Sequence, residues 1–383
     1  MNWKRTFAVY FLGLLVIGMA FASGYFVRAQ FYPSLSEYPI WNEARQILRT
    51  NALYDLPPDP ALEYGMIRGM LAAYDDPYTR FVEPARTELD SDNLEGSYGG
   101  IGATLERSLA GEIFVYPFPE SPATEAGVRD GDQLLRVDDL TIAAATPVDE
   151  VVAALRGPKG DPVTIEISRP PAATTETFTI RRAAIPLPSV TWRLALEDAR
   201  LGIIQVNLIA ASTAAEIEKA AADLELQGVQ FYALDLRGNG GGLVDAGVEI
   251  VRLFLTEGDI LQEQYRGENP EVYSVRRPGP LAEIPLVVLI NANTASAAEI
   301  IAGALQARGR AALIGQPTFG KDVIQLAFEL SDGSSLHVTA AQWQIPGLDD
   351  DISFEGLQPD VHVEPDDDGQ DTSLLAAVVY FSP

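Results

Sequence analysis

Residues Val287–Gln306 read VVLINANTASAAEIIAGALQ. The apolar run ends at Ile290 and reads as a buried strand. Small residues then turn the chain, and Ser296 opens a helix that carries Ile300, Ile301, Ala304 and Leu305 along one side. A strand running through a tight turn into a helix is the unit of an α/β sheet. A serine at such a turn is lifted clear of the sheet, and the helix N–H groups beside it point at any oxyanion formed there. The same residues have a simpler use. Ser296-x-x-Glu299 is a capping box, worth about 1 kcal/mol without any catalysis. From this segment alone the cap is the simpler reading.

Two flanking stretches change the balance. Upstream, LDLRGNGGGLVDAG (234–247) is another strand, turn and helix, with Gly240, Gly241 and Gly242 in the turn. Three glycines exceed what an ordinary turn needs. They let the backbone approach a ligand and aim amides at it. Downstream, TFGKDVIQ (318–325) holds Lys321; the other lysines are Lys4, Lys159 and Lys219, and every remaining basic residue is arginine. A buried amine can give up its proton, whereas guanidinium stays charged. Gly315 to Lys321 has the spacing of a phosphate-binding loop. Asp322 stands where that motif needs Ser or Thr, and a strand follows instead of a helix, so a nucleotide site is rejected. A serine nucleophile needs a base. His337 sits mid-strand in SSLHVTA and His362 in PDVHVEP, and neither setting suits one. A desolvated Lys321 does. Gln325 lies four residues on, on the same face of a strand, where it can hold the amine by a hydrogen bond.

The rest of the chain supplies the frame. Its 383 residues, 47% hydrophobic and 21% charged, describe a globular protein of two or three domains. A net charge of −27 argues against nucleic acid and anionic membrane surfaces as partners. The absence of cysteine removes disulfides, thiol catalysis and Cys-type zinc sites. Lys4 and Arg5 precede an uncharged run from Thr6 to Val27, long enough to cross a bilayer. Residues 1–28 are therefore expected to be a membrane anchor, or a signal peptide if Ala20-Phe21-Ala22 is cleaved, with the following chain facing outward. Residues 29–94 read as a helical region, 95–171 as a compact β-rich module, and 172–383 as alternating strands and helices.

Together these motifs resemble the carboxy-terminal processing, or tail-specific, proteases. GMLAAYDDPYTRF is similar to the segment preceding their PDZ domain; GGIGATLE and SPATEAGVRDGDQLLRVDD resemble the PDZ domain itself. LDLRGNGGGLVDAGVEIVRLFL, NTASAAEIIAGALQARGRAALIGQPTFGKDVIQ and EGLQPDVHV resemble the catalytic core. The resemblance implies an α/β core similar to the ClpP and crotonase folds, with a PDZ domain inserted in or preceding it and a helical N-terminal region. It implies Ser296 as nucleophile, Lys321 as general base and Gln325 as its orienting residue. The oxyanion hole would come from the amides of Ala297 and of Gly242 or Gly241, with Gly242 preferred. Gly100, Ile101, Gly102 and Ala103 would form the loop that receives a substrate C-terminal carboxylate, and Arg156 resembles a PDZ arginine implicated in switching. The resemblance implies no metal and no cofactor. Its partners would be polypeptides with free C-termini, with room for an activating protein or a homo-oligomer. The chain departs from the family pattern at Ala298, usually serine, and at Asp322, usually glycine. An anion facing Lys321 would raise its pKa, although strand neighbours point apart. Two rival functions are a PDZ scaffold with an inactive core and a crotonase-type acyl-CoA enzyme. An outward-facing, anionic chain suits the latter poorly.

Overall fold

The computed structural model describes residues 38–382, apart from 109, 171–173, 349–354 and 365–369, together with Met19 and Ser23. Apart from those two residues, the expected anchor from Thr6 to Val27 lies outside the described residues. Among the described residues no helix is long and apolar enough to cross a membrane.

The chain forms two compact units, residues 1–74 and 75–383. In the first, α1 (Pro39–Asn51) and α2 (Asp59–Tyr74) flank the Pro57-Pro58 break, and Arg45 pairs with Asp59. Neither helix contains a fully buried residue. The expected 29–94 helical region is divided by this boundary. Its later part, β1 (Arg80–Val82) and α3 (Pro84–Glu95), belongs to the second unit.

The β-rich module follows. It contains β2 (Ser97–Gly100), β3 (Ala103–Arg107), β4 (Ile113–Pro117), α4 (Pro122–Ala126), β5 (Asp132–Val137), β6 (Leu140–Thr141), α5 (Val148–Leu155), β7 (Pro162–Arg169) and β8 (Thr174–Arg181). The sheet order is β3-β4-β5-β7-β8, with β6 on β5. Alternation in β7 sends Val163, Ile165 and Ile167 into a core with Ile113, Val115 and Leu134. Ser121 caps α4 through the Thr124 amide, and left-handed Gly127 ends it. The sheet runs past residue 171, because β8 pairs along the whole of β7 with Arg169 opposite Thr174. Then β9 (Ala183–Pro186) pairs with β2.

The remaining elements are β10 (Val190–Leu194), β11 (Leu201–Val206), α6 (Thr213–Leu226), β12 (Phe231–Asp235), α7 (Val244–Phe254), β13 (Asp259–Tyr265), β14 (Glu271–Ser274) and β15 (Leu286–Ile290). After them come α8 (Ala297–Ala307), β16 (Ala312–Gly315), β17 (Val323–Glu329), β18 (Ser335–Gln344), β19 (Val361–His362) and α9 (Thr372–Tyr380). One sheet runs β10-β11-β12-β15-β16-β19, parallel throughout except for β10. Successive residues serve opposite faces. Ile204, Leu234 and Val288 pack with α6, α7 and α8, while Ile203, Ala233 and Val287 pack with Leu374 and Ala377 of α9. A parallel sheet covered on both faces needs such near-continuous apolar strands. A second sheet runs β1-β18-β13-β14, with β17 also on β18. The Ser296 turn and the triple-glycine turn leave the carboxyl ends of neighbouring strands β15 and β12, where α/β sheets place their ligands.

Candidate active site

Ser296 has φ 56° and ψ −121°. A residue with a Cβ pays about 1–3 kcal/mol for such a backbone, so the surroundings must impose it. They do so through hydrogen bonds. The Ser296 N–H donates to Glu299 Oε2 at 2.8 Å, and Ala295 N–H to the Asn239 carbonyl at 2.9 Å. Thr294 Oγ1 donates to the Leu236 carbonyl at 2.9 Å. The capping-box residues are present, and the Ser296 amide is held by the Glu299 side chain.

The glycine turn lies against it. A Cβ on Gly241 (φ 103°) would sit 3.0 Å from Ser296 Cβ and 3.2 Å from the Ala297 nitrogen. On Gly242 (φ 153°) it would meet the Ile209 carbonyl oxygen at 2.0 Å. The Gly241 N–H is spent on Asn239 Oδ1 at 2.8 Å, and buried Asn239 is fixed in turn by its Nδ2 bond to the Val206 carbonyl. Among the described residues, the N–H groups of Gly242 and Ala297 find no backbone acceptor. Ala297 is the first residue of α8, whose N–H has no partner within its helix. Of the two glycines, Gly242 is the one with an amide to spare.

Lys321 Nζ donates to Gln325 Oε1 at 2.7 Å, and Gln325 Nε2 donates to the Tyr78 carbonyl. On a regular strand residues four apart are separated by about 13 Å. Here Lys321 precedes β17, and a register shift between Ile324 and Gln325 breaks the ladder, so bulge and turn bring the side chains together. The Tyr78 ring lies 5.3 Å from the amine. Burial holds the Lys321 pKa below the usual lysine range, and Arg80 adds to the effect; Glu299 and Asp76 oppose it. The Asp322 carbonyl accepts the Trp343 N–H at 2.9 Å.

Glu299 joins the two sides of the site. Fully buried, it accepts four hydrogen bonds: Ser296 and Lys321 amides on Oε2, Thr318 hydroxyl and Gly320 amide on Oε1. Burial pushes its carboxyl pKa up and the four donors pull against that. Ser296, Lys321, Gln325 and Gly240–Gly242 line one cleft of about 670 Å³, with Arg80, Glu263 and His337. His337, on β18, bonds Ser335 Oγ at 3.1 Å, whereas exposed His362 pairs with Glu364. Glu263 is buried in the cleft wall, and desolvation raises its pKa. Sequence reasoning missed Tyr78, Arg80, Glu263 and the joining role of Glu299. Only the crowding of polar residues in DDPYTRF hinted at the first two.

In the β-rich module, β3 is an edge strand of its sheet, and Gly102 turns into it with φ 71°. The carbonyls of Ile101 and Gly102 accept the Ala123 and Phe118 amides at 2.9 and 2.8 Å. Among the described residues, the amides of Ile101 and Gly102 find no backbone acceptor. Gly100 ends β2 and Ala103 begins β3. Arg156, at the end of α5, lies 4.3 Å over the Tyr98 ring.

Comparison with known proteins places the chain in a family. Peptidase family S41 matches residues 200–363, and the PDZ domain matches residues 114–169. The carboxyl-terminal-processing protease of Picosynechococcus sp. is 39% identical over 300 residues, covering 78% of this chain and 72% of the relative. Carboxy-terminal processing protease CtpA of Bacillus subtilis is 34% identical over 330 residues, covering 86% and 69%. Among solved structures, a photosystem II D1 C-terminal processing protease is 33% identical, with 85% and 87% coverage and a TM-score of 0.46. The chain belongs to the carboxyl-terminal-processing proteases of peptidase family S41, serine-type peptidases, and it carries a PDZ domain.

Proposed function

We propose that the protein cleaves polypeptides near their C-termini through a Ser296–Lys321 dyad. The observation that carries this reading is the Lys321 amine, half-buried in the cleft that Ser296 also lines and held by Gln325 at 2.7 Å. Neutral Lys321 removes the Ser296 hydroxyl proton as Oγ attacks the scissile carbonyl carbon. The negative oxygen that develops meets the amides of Gly242 and Ala297. Collapse breaks the C–N bond, and the Lys321 ammonium returns the proton to the leaving amine. Lys321 then deprotonates a water, which hydrolyses the acyl ester. Gln325 orients the amine throughout.

The PDZ domain selects the substrate. The unbonded amides of Ile101 and Gly102 suit a terminal carboxylate, and the edge of β3 suits an added strand. The apolar Thr6–Val27 run supports an N-terminal anchor that leaves the catalytic domain outside the cytoplasm. Mass spectrometry of the native protein tests whether that segment is retained. The dyad is tested by cleavage of an unstructured peptide with an apolar C-terminus. Ser296→Ala and Lys321→Ala are each expected to lose at least about 10⁴-fold in kcat, and cleavage surviving in Ser296→Ala overturns the assignment.

A further inference from the structure

The Gln325 amide is useful to Lys321 in only one of its two orientations. Its oxygen accepts from the amine at 2.7 Å because its nitrogen is turned to the Tyr78 carbonyl. Flipped, it would set an NH₂ group against the ammonium and an oxygen against a carbonyl, donor to donor and acceptor to acceptor. The selector is thus a backbone carbonyl in a segment 247 residues away in sequence.

That segment is itself braced. Asp76 Oδ1 accepts the Tyr78 N–H at 3.1 Å, and Oδ2 accepts the Thr79 hydroxyl. Thr79 Oγ1 in turn accepts the Thr339 N–H at 3.1 Å. Thr339 is the cross-strand partner of Gln325 where β17 pairs with β18. The bracket therefore grips Gln325 from its side chain and from its neighbouring strand. It also presents the Tyr78 ring to the amine.

Resting on the Ser–Lys reading, we propose that Asp76, Tyr78 and Thr79 form a positioning bracket that selects the amide orientation of Gln325 and so holds Lys321 in place for catalysis. None of the three side chains exchanges a proton with substrate in this role. The charged and titratable groups around the amine are Arg80 from β1, Glu299 from α8, and Asp76 and Tyr78 of the bracket. Asp322 acts on Tyr78, and His337 lies on the cleft wall.

The experiment is steady-state peptide hydrolysis across pH by the full chain and its Thr79→Val, Thr79→Ser, Asp76→Ala and Asp76→Asn variants. Rates are normalised to the folded fraction measured by thermal melting. Thr79→Val and Asp76→Ala are expected to lose about 10- to 100-fold in kcat with KM unchanged. Thr79→Ser restores the parent rate, and Asp76→Asn, which keeps an acceptor for the Tyr78 amide, retains most of it. The acidic limb of the kcat profile moves to lower pH in Thr79→Val, because the ammonium loses the oxygen that stabilised it while no charge has changed. Parent values of both kcat and acidic limb in Thr79→Val and Asp76→Ala, whatever their melting temperatures, overturn the bracket. Lys321→Ala in the same assay keeps the two ideas apart. Activity retained there refutes the dyad, whereas activity lost there beside unaffected bracket variants refutes the bracket alone.

Discussion

Arg80 stands on β1 opposite His337, lines the cleft, and pushes the Lys321 pKa down in addition to the effect of burial. In the proposed mechanism Lys321 acts as a base only when neutral, so activity should rise as pH passes upward through its pKa. Removing a repelling cation raises that pKa. Arg80→Ala is therefore expected to move the acidic limb of the kcat profile to higher pH and to lower activity at neutral pH. An unmoved limb would show that Arg80 does not tune the amine. Glu299 is a second residue with more than one task, since its two oxygens hold four donors. Glu299→Gln turns an amide NH₂ toward some of those donors. It should cost about 2–4 kcal/mol in denaturant unfolding, with activity falling as well because the Ser296 and Lys321 amides both lose their anchor.

At the scale of elements, the glycine turn is tied to the last helix. Arg237 makes paired hydrogen bonds with Asp235 at the end of β12 and with Asp371, the N-cap of α9. Burial alone would raise the Asp371 pKa, but the bonds from Arg237 prevail and hold it below the ordinary carboxylate range. A depressed carboxyl stabilises the fold above its unfolded pKa, and that contribution disappears as pH falls through the folded value. Asp371→Ala should therefore cost about 2–3 kcal/mol at neutral pH, and progressively less toward acid, as read from urea melts at several pH values. Local elements of this kind were largely legible in the sequence. The Ser296 turn and the glycine turn each lie within one short stretch where strand and helix periods are clear, whereas the Lys321–Gln325 pair lies in one short stretch but is brought together by a turn and a bulge that the strand period does not show. Other elements were not. β13 carries Gln262, Glu263 and Gln264 in succession, which hides its strand period. Tyr78 and Arg80 reach the site only through the pairing of β1 with β18, a contact that no local pattern encodes.

At the scale of the whole molecule, the protein carries a PDZ domain and a family S41 peptidase core, which the proposed function joins as recognition of C-terminal ends and acyl transfer. If the PDZ loop captures the carboxylate, amidating the substrate C-terminus should reduce kcat/KM by roughly 10- to 100-fold, the worth of hydrogen bonds to a charged group. Equal cleavage of acid and amide would remove that role. The account as a whole depends on an amine that must be neutral to work. The most direct test is mass-spectrometric analysis of peptide cleavage by Lys321→Arg beside the parent enzyme and Ser296→Ala. Loss of products in both variants is the predicted result, because guanidinium keeps its proton at any workable pH. Products formed by Lys321→Arg at the parent rate would contradict a lysine base and the mechanism built on it.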